Sequence, residues 1–237
     1  MEIVRGFEQP KSIHHELARA LEDLIIKWAL KPGTRLVETE ISATYGVSRS
    51  PVREALVYLE HQRLVTREAR HGFSVAAASL EDLNEIYACR IPLECVAVAE
   101  AAARCTAADA KELNRIMVAS RQAGDRRDID AYFRSNIELK NYFQKIAGNK
   151  TLRLLLHMVG KPSLRYRHLL YIKNPEMLDV SVGANAKIVG AIETGRAADA
   201  QVAMKELLTR TWEALASHLA EMQSDDDFNV LLAKPNI

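Results

Sequence analysis

Few residues in this chain favour turns: the 237 residues include only 10 glycines and 7 prolines, and aromatic residues make up 6%. A many-stranded sheet needs frequent turn residues and many aromatic side chains, so this scarcity argues against a mainly β protein and favours long helices. Apolar residues nevertheless account for 48% of the chain, which is enough to fill one large core or two small ones. The composition therefore predicts a mainly α globular protein.

Neither sign of charge is in excess, because 32 lysines and arginines stand against 31 acidic residues and the net charge is +1. This balance excludes a polycationic nucleic-acid binder but leaves a local basic patch open. The three cysteines, Cys89, Cys95 and Cys105, form no CxxC motif, and their odd number argues against a disulfide framework. No run reaches the roughly 18 consecutive apolar residues of a membrane span and no signal peptide is evident, so we expect a cytoplasmic protein with no membrane partner.

The first third of the chain combines helical and strand periods. Ser12 precedes a helix with apolar residues at steps of three and four, and Lys31-Pro32-Gly33 ends it. Two short helices then flank Gly46. From Leu64 the period changes to two, and the turn-like Arg70-His71-Gly72 separates the two strands of a small hairpin. Three helices and a hairpin are typical of a winged helix-turn-helix domain. The repeating apolar residues of the first helix are Leu17, Leu21, Leu24, Ile25 and Trp28.

The second of the two short helices presents two different faces. It opens at Ser48 or Ser50, and Arg49 and Arg53 share one face because they are four residues apart. A helix N-terminus favours phosphate and a guanidinium can bind guanine bidentately, so this face is suited to the major groove of DNA. A solvated surface face is the alternative. The apolar residues of the packing face are Val52, Ala55, Leu56 and Leu59.

From Ser79 onward the pattern is helical only. Ser79 with Asp82, and Thr106 with Asp109, resemble capping boxes that each open a long helix. Later helices are predicted over 128–147, 152–171, 175–193 and 197–222, with Pro162 as a break or kink in the second of these.

Three regions follow from these patterns. We predict a winged helix-turn-helix domain over 1–78, an all-α helical bundle of six or seven helices over 79–222, and a tail over 223–237. The predicted fold class is therefore mainly α, with the only strands in the N-terminal domain.

Four motifs of the N-terminal region are Leu30–Glu38, Tyr45–Leu56, Leu59-Glu60 and Leu64-Val65. Together they closely resemble the winged-helix domain of the GntR family of bacterial transcription factors, over about residues 11–76. The resemblance implies that the start of the second short helix and the hairpin tip contact DNA. Thr39 stands where many relatives have an arginine, which implies a different operator. The implied DNA-binding residues are Ser48, Arg49, Ser50, Arg53, Arg70, His71 and Gly72.

The helical remainder carries Arg90 and Glu94, the helix end Ala147-Gly148-Asn149, and Ile188–Ile192. These residues resemble the FadR-like, FCD-type ligand-binding domain of the same family, over about residues 80–222. Many such domains hold a divalent metal through one aspartate and three histidines, and the metal binds a carboxylate effector. The resemblance places Asn136, Lys140, Asn185 and Leu207 at those four positions. Because an ammonium repels a cation and leucine has no donor atom, we expect no metal and no cofactor.

A small organic acid is expected to bind in this domain directly. Lys140 would supply the charge of the missing metal, and the resemblance implies that Arg90 faces the effector. Other interpretations stay open: Lys140 could pair with a glutamate in a filled pocket, Arg90 could pair with Glu94, and the two asparagines could be vestiges. The candidate effector-binding residues are Arg90, Asn136, Lys140, Asn185 and Arg165, with Tyr166 and Arg167 at the rim.

The resemblance implies a homodimeric regulator, and two winged helices related by a dyad would read a palindromic double-stranded DNA operator. We expect a repressor that a small organic acid releases from DNA. The alternative is a DNA-binding regulator whose helical domain only dimerises and senses no ligand. An enzyme is not expected, because the sequence has no nucleophile elbow, phosphate loop, metal triad or closely spaced pair of histidine and acid.

Overall fold

The computed structural model describes residues 12–68 and 72–224. Over these residues the chain contains nine helices and three short strands, which confirms the predicted fold class. The chain divides into two compact units between Ala77 and Ala78. Of the helices that the structure describes, none is long and apolar enough to cross a membrane.

The N-terminal unit is a winged helix-turn-helix. Its strands form one antiparallel sheet in the order β1-β3-β2, in which Leu36 pairs with Phe73 and Val65 pairs with Val75. The β2–β3 hairpin is the predicted wing, whereas β1 was not predicted because two residues are too short to show a period of two. The elements are α1 (Ile13–Ile26), β1 (Arg35–Leu36), α2 (Glu38–Tyr45), α3 (Arg49–His61), β2 (Val65–Glu68) and β3 (Gly72–Val75).

Apolar side chains from all three helices and the sheet fill the core of this unit. The first helix ends two residues before Trp28, whose φ of 61° is left-handed, so Trp28 does not extend the apolar face as its spacing predicted. Gly46 ends α2 with a φ of 65°, a conformation that glycine adopts without strain. The core includes Leu17, Leu21, Ile25, Leu36, Ile41, Val52, Ala55, Leu56, Leu59, Leu64, Val65, Phe73 and Val75.

The C-terminal unit is entirely helical in its described part, as predicted. Ser79 caps α4 by accepting from the Asp82 amide, and Thr106 and Asp109 form a reciprocal capping box at α5. The last helix runs to Ser224, two residues beyond its predicted end; the rest of the predicted tail lies outside the described residues. The helices are α4 (Leu80–Arg104), α5 (Ala107–Asp125), α6 (Ile129–Ala147), α7 (Lys150–Lys173), α8 (Met177–Glu193) and α9 (Ala197–Ser224).

Helix α7 has two different halves. Every residue from 162 to 171 is buried, whereas most residues of the first half are exposed. Pro162 lies where the two halves meet and does not break the helix, although it removes one backbone donor there. The second half therefore passes through the interior and brings several polar side chains with it.

Candidate DNA-binding face and buried charge cluster

One side of α3 packs and the other faces solvent, as its spacing predicted. The apolar residues of the packing side are completely buried, and Arg49 and Arg53 are exposed. Within the described part of the chain, neither arginine makes an ion pair or a hydrogen bond. Ser48 is the N-cap residue, so the positive end of the helix dipole lies beside both guanidinium groups.

The predicted DNA-contacting Ser50 already has a partner. Its hydroxyl donates to Glu54 Oε1 at 3.1 Å, and the other oxygen of Glu54 lies 3.1 Å from His14 Nδ1. An acidic group therefore stands among the basic ones at the start of α3. On this face, the guanidinium N–H groups of Arg49 and Arg53 bond to no other described residue.

Gly72 lies at the turn of the wing. Glu68 is opposite Gly72, whose φ of 82° lies in the left-handed region that glycine favours. The guanidinium of Arg67 lies 5.5 Å from the ring centre of Phe73, so the aromatic ring supports a cation near the wing tip. Arg70 and His71, both predicted to contact DNA, lie outside the described residues.

In the C-terminal unit, the side chain of Arg90 is buried on α4 and forms an ion pair with Glu94. Nε and Nη2 of Arg90 each lie 3.4 Å from Glu94 Oε1, and Nη1 donates to the Tyr87 hydroxyl at 3.2 Å. The ion-pair interpretation of Arg90 is therefore the one observed. Glu94 Oε2, in contrast, is buried with no hydrogen-bond partner among the described residues.

Lys140 points into the interior from α6. Its side chain is 5% exposed, Nζ lies 3.2 Å from Met204 Sδ on α9, and no carboxylate of the described chain forms an ion pair with it. Burial lowers the pKa of Lys140 to about 7, because the charged form loses its hydration; Glu94 opposes this shift, and Arg90 and Arg167 reinforce it.

Arg167 enters the same region from α7. Its guanidinium donates to Asn136 Oδ1, and Asn136 in turn donates to the Tyr132 hydroxyl at 3.2 Å. Burial and the nearby charge of Arg90 lower the pKa of Arg167. A neutral amide is thus the hydrogen-bond partner of Arg167, and no carboxylate of the described chain pairs with it.

Arg165 belongs to a different contact, although it was predicted with the effector site. Its Nη2 lies 3.0 Å from Asp82 Oδ2, and the neighbouring Tyr166 hydroxyl donates to the same oxygen at 2.8 Å. That hydroxyl also accepts from the Ser79 amide at 3.2 Å. Residues two positions apart on a helix point in nearly opposite directions, so Arg165 and Arg167 serve separate clusters.

Asn185 is the most unusual polar residue of the unit. It is completely buried on α8, and neither atom of its amide has a hydrogen-bond partner among the described residues. It lies one turn after Ser181, whose hydroxyl is 3.1 Å from that of Tyr171, and the Tyr171 ring packs edge-on against Tyr132. Asn185 therefore projects from the face of α8 that meets these tyrosines.

Five residues make up what we call the buried charge cluster: Arg90, Glu94, Asn136, Lys140 and Arg167. The sequence and its family resemblance placed Arg90, Asn136 and Lys140 among the effector-binding candidates and Arg167 at their rim, and they indicated Glu94 as the alternative partner of Arg90. Binding of an effector by these residues stays a prediction. Leu207, which was placed at a metal position, is a buried apolar residue. No group of three or more histidine, cysteine or acidic residues with metal-binding geometry occurs in the described part of the chain.

Two family models match the chain. Residues 14–75 match the bacterial regulatory proteins of the gntR family, and residues 85–210 match the FCD domain. The first match covers the winged helix-turn-helix, and the second covers the helices that carry the buried charge cluster.

Curated relatives are transcription regulators rather than enzymes. The chain is 27% identical to the repressor RspR of Escherichia coli K12 over 170 residues, which cover 70% of this chain and 74% of RspR. It is 40% identical to the uncharacterized regulator YdhC of Bacillus subtilis over 91 residues. That second match spans 38% of this chain and only 41% of YdhC.

Solved structures share the fold. E. coli McbR/YncC aligns with a TM-score of 0.78 and 23% identity over 88% of this chain and 99% of its own. A putative GntR regulator from Rhodococcus sp. RHA1 aligns with a TM-score of 0.71 and 24% identity over 87% of this chain and 99% of its own. Both combine the same two units in one chain.

Proposed function

Since this chain belongs to the GntR family of DNA-binding transcription regulators and carries an FCD domain, we propose that it is a cytoplasmic repressor released from its operator by a small organic acid. The observation that carries the effector half of this proposal is the buried charge cluster, in which Arg90 pairs with Glu94 while Lys140 and Arg167 have no ion-pair partner among the described residues. The DNA-binding half is supported by the exposed Arg49 and Arg53 at the start of α3.

Unpaired buried charge is the reason to expect a ligand. Removing a cation from water costs free energy unless an anion and hydrogen bonds replace its hydration. Lys140 and Arg167 have no ion-pair partner in the described chain, so an organic acid would supply the missing charge. For release from DNA, the acid must bind one conformation of the regulator more tightly than the other by a few kcal/mol.

The ion pair between Arg90 and Glu94 favours a second candidate function. It satisfies part of the charge of Arg90 without a ligand. In this alternative the FCD domain only joins two copies of the chain, and DNA binding does not respond to any small molecule.

A homodimer is proposed because two winged helices related by a dyad can read a palindrome. The first half of α7 offers a surface for a second copy of the chain. Leu154, Leu155 and Met158 project into solvent there, with exposures of 66%, 43% and 64%. In a twofold-symmetric interface each of these residues occurs twice, so even a short apolar surface buries twice its own area.

Leu154→Ala should weaken the dimer by about tenfold to 50-fold. Each copy would lose about 1 kcal/mol of apolar burial, and the dyad doubles that loss. Sedimentation velocity over a concentration series measures the dissociation constant. Val118→Ala on α5 is the matched control, because Val118 is 52% exposed and lies on another helix. An unchanged dissociation constant for Leu154→Ala would place the dimer contact elsewhere.

Selection from a pool of random DNA duplexes tests the proposed function as a whole. The full chain should enrich an inverted repeat, and a reporter gene placed behind that repeat should be expressed less when the protein is present. Millimolar monocarboxylates and dicarboxylates are then added to the complex with the enriched duplex. Release by any acid supports the proposed repressor, enrichment with no release supports the dimerisation-only alternative, and no enriched repeat contradicts both.

A further inference from the structure

A network of three side chains lies at the start of α3. The Ser50 hydroxyl donates to Glu54 Oε1 at 3.1 Å, and Glu54 Oε2 lies 3.1 Å from Nδ1 of His14 on α1. The Ser12 hydroxyl contacts the same ring nitrogen. Both oxygens of the carboxylate are therefore engaged, each from a different helix. The side chain of Glu54 is nevertheless 55% exposed, so the network reaches the solvent side of α3.

This network shares the exposed side of α3 with the two arginines proposed to contact DNA. Ser50 and Glu54 are four residues apart, as are Arg49 and Arg53, so the two pairs form adjacent rows along the helix. All four side chains are exposed. A guanidinium has only donors, whereas a carboxylate has only acceptors. The face therefore presents acceptor atoms beside its donors.

The bond to Glu54 decides what Ser50 can offer to a further partner. Because a hydroxyl carries a single hydrogen, only the lone pairs of its oxygen remain once that hydrogen is donated. A hydrogen bond to an ionised carboxylate is also stronger than one between neutral groups, which favours this orientation of the hydroxyl. The negative charge of Glu54 repels a phosphate. Ser50 is thus suited to accept a hydrogen bond from DNA and not to donate one.

Donors in the major groove are the amino groups of two bases, N4 of cytosine and N6 of adenine. Guanine and thymine present carbonyl oxygens there instead. We propose that Ser50 is a specificity-determining residue that accepts from the amino group of a cytosine or an adenine, and that Glu54 is a positioning residue that fixes the direction of the hydroxyl. This inference rests on the proposed function, because it takes α3 as the helix that reads the operator.

Base substitution in the selected inverted repeat locates the contact. Each base pair is changed in turn, in both half-sites at once, and fluorescence anisotropy measures the dissociation constants of the wild type and of Ser50→Ala. At one position the wild type should prefer an amino base by about tenfold, because the contact is lost in both half-sites. The preference of Ser50→Ala at that position should be within about twofold.

Removal of the amino group alone makes the test specific. Deoxynebularine has the ring of adenine without the amino group, and the 2-pyrimidinone nucleoside stands in the same relation to cytosine. Placed at the position found above, the matching analogue should weaken binding of the wild type by about tenfold and that of Ser50→Ala by about twofold at most. The same analogue outside the repeat is the control for the weaker base pair.

Glu54→Ala tests the positioning role. It leaves the Ser50 hydroxyl free to turn and donate, so the preference for the amino base should fall to about threefold or less. Glu60→Ala is the matched control, because Glu60 also lies on α3 and its removal changes the net charge equally. It should keep the preference. A ratio between two duplexes cancels the general gain in affinity that follows from removing a negative charge.

Uniformly weaker binding of Ser50→Ala, with no change in base preference at any position, would overturn the proposal and assign Ser50 to a phosphate. A preference for guanine or thymine at the affected position would also overturn it, as would an unchanged preference in Glu54→Ala. These results leave the proposed function intact, since the repeat is still selected and bound. If no inverted repeat is enriched at all, the proposed function fails and this inference fails with it.

Discussion

Replacing Arg53 by alanine should lower the affinity for the operator by about 30-fold or more, and Arg49→Ala should have a similar effect. Both side chains are exposed at the positive end of α3 and make no ion pair within the described residues. One bidentate contact of arginine with guanine contributes ~1–3 kcal/mol, and a dimer on a palindrome makes the contact twice. The combined loss is then ~2–6 kcal/mol.

Fluorescence anisotropy with the selected duplex at fixed salt measures this loss. Arg134→Ala is a suitable control, since Arg134 is an exposed arginine on α6 and its removal changes the net charge equally. The unfolding temperature of all three variants should match that of the wild type, because none of these side chains packs in a core. Affinity within twofold of wild type for both Arg49→Ala and Arg53→Ala would show that α3 is not the reading helix.

Lys140→Met should stabilise the ligand-free protein by about 4 kcal/mol at pH 7. Burial lowers the pKa of Lys140 from 10.5 to about 7, whereas the unfolded chain restores the ordinary value. Each pKa unit between the two states corresponds to ~1.4 kcal/mol. Methionine has nearly the same length, carries no charge, and would pack against Met204 and Phe143, which Lys140 already contacts.

The sign of the pH dependence follows from which state binds more protons. Between about pH 7 and pH 10.5 the unfolded chain keeps the proton of Lys140 and the folded chain has lost it, so wild-type stability rises with pH in this window. The advantage of Lys140→Met should therefore be full below pH 7, fall to about 2 kcal/mol at pH 9, and vanish above pH 10.5. The charged groups around Lys140 are Glu94 and Arg90 from α4 and Arg167 from α7, with Cys95 of α4 also nearby.

Urea unfolding of both proteins at pH 6, 7, 8 and 9 gives the difference directly. Lys205→Met, on the exposed side of α9, should show no such trend. A difference between Lys140→Met and wild type that stays constant over this range would mean that the ammonium of Lys140 is not desolvated in the folded protein.

Local spacing predicted most of the helical architecture. The steps between Val52, Ala55, Leu56 and Leu59 predicted which side of α3 packs, and all four are completely buried. Thr106 and Asp109 predicted a helix start because their bonds are formed within one turn. Each of these signals depends on residues that are close in the sequence, so the chain alone reveals them.

Features that depend on distant partners were not predicted in the same way. The sequence alone assigned Arg165 to the effector site without identifying its partner Asp82, which is 83 residues away. Likewise, nothing local shows that Asn136 holds Arg167, since the two are 31 residues apart. The resemblance predicted that Lys140 and Asn185 belong to one region, but their unpaired state became visible only once the helices were assembled.

The hydroxyl of Tyr166 ties α7 to the start of α4. It accepts from the amide of Ser79, the N-cap of α4, which is the second residue after the division between the units. Arg167, the next residue on α7, is in the buried charge cluster. Because a helix moves as a stiff element, any displacement of the second half of α7 would also shift the Tyr166 hydroxyl and the N-cap of α4 that it holds.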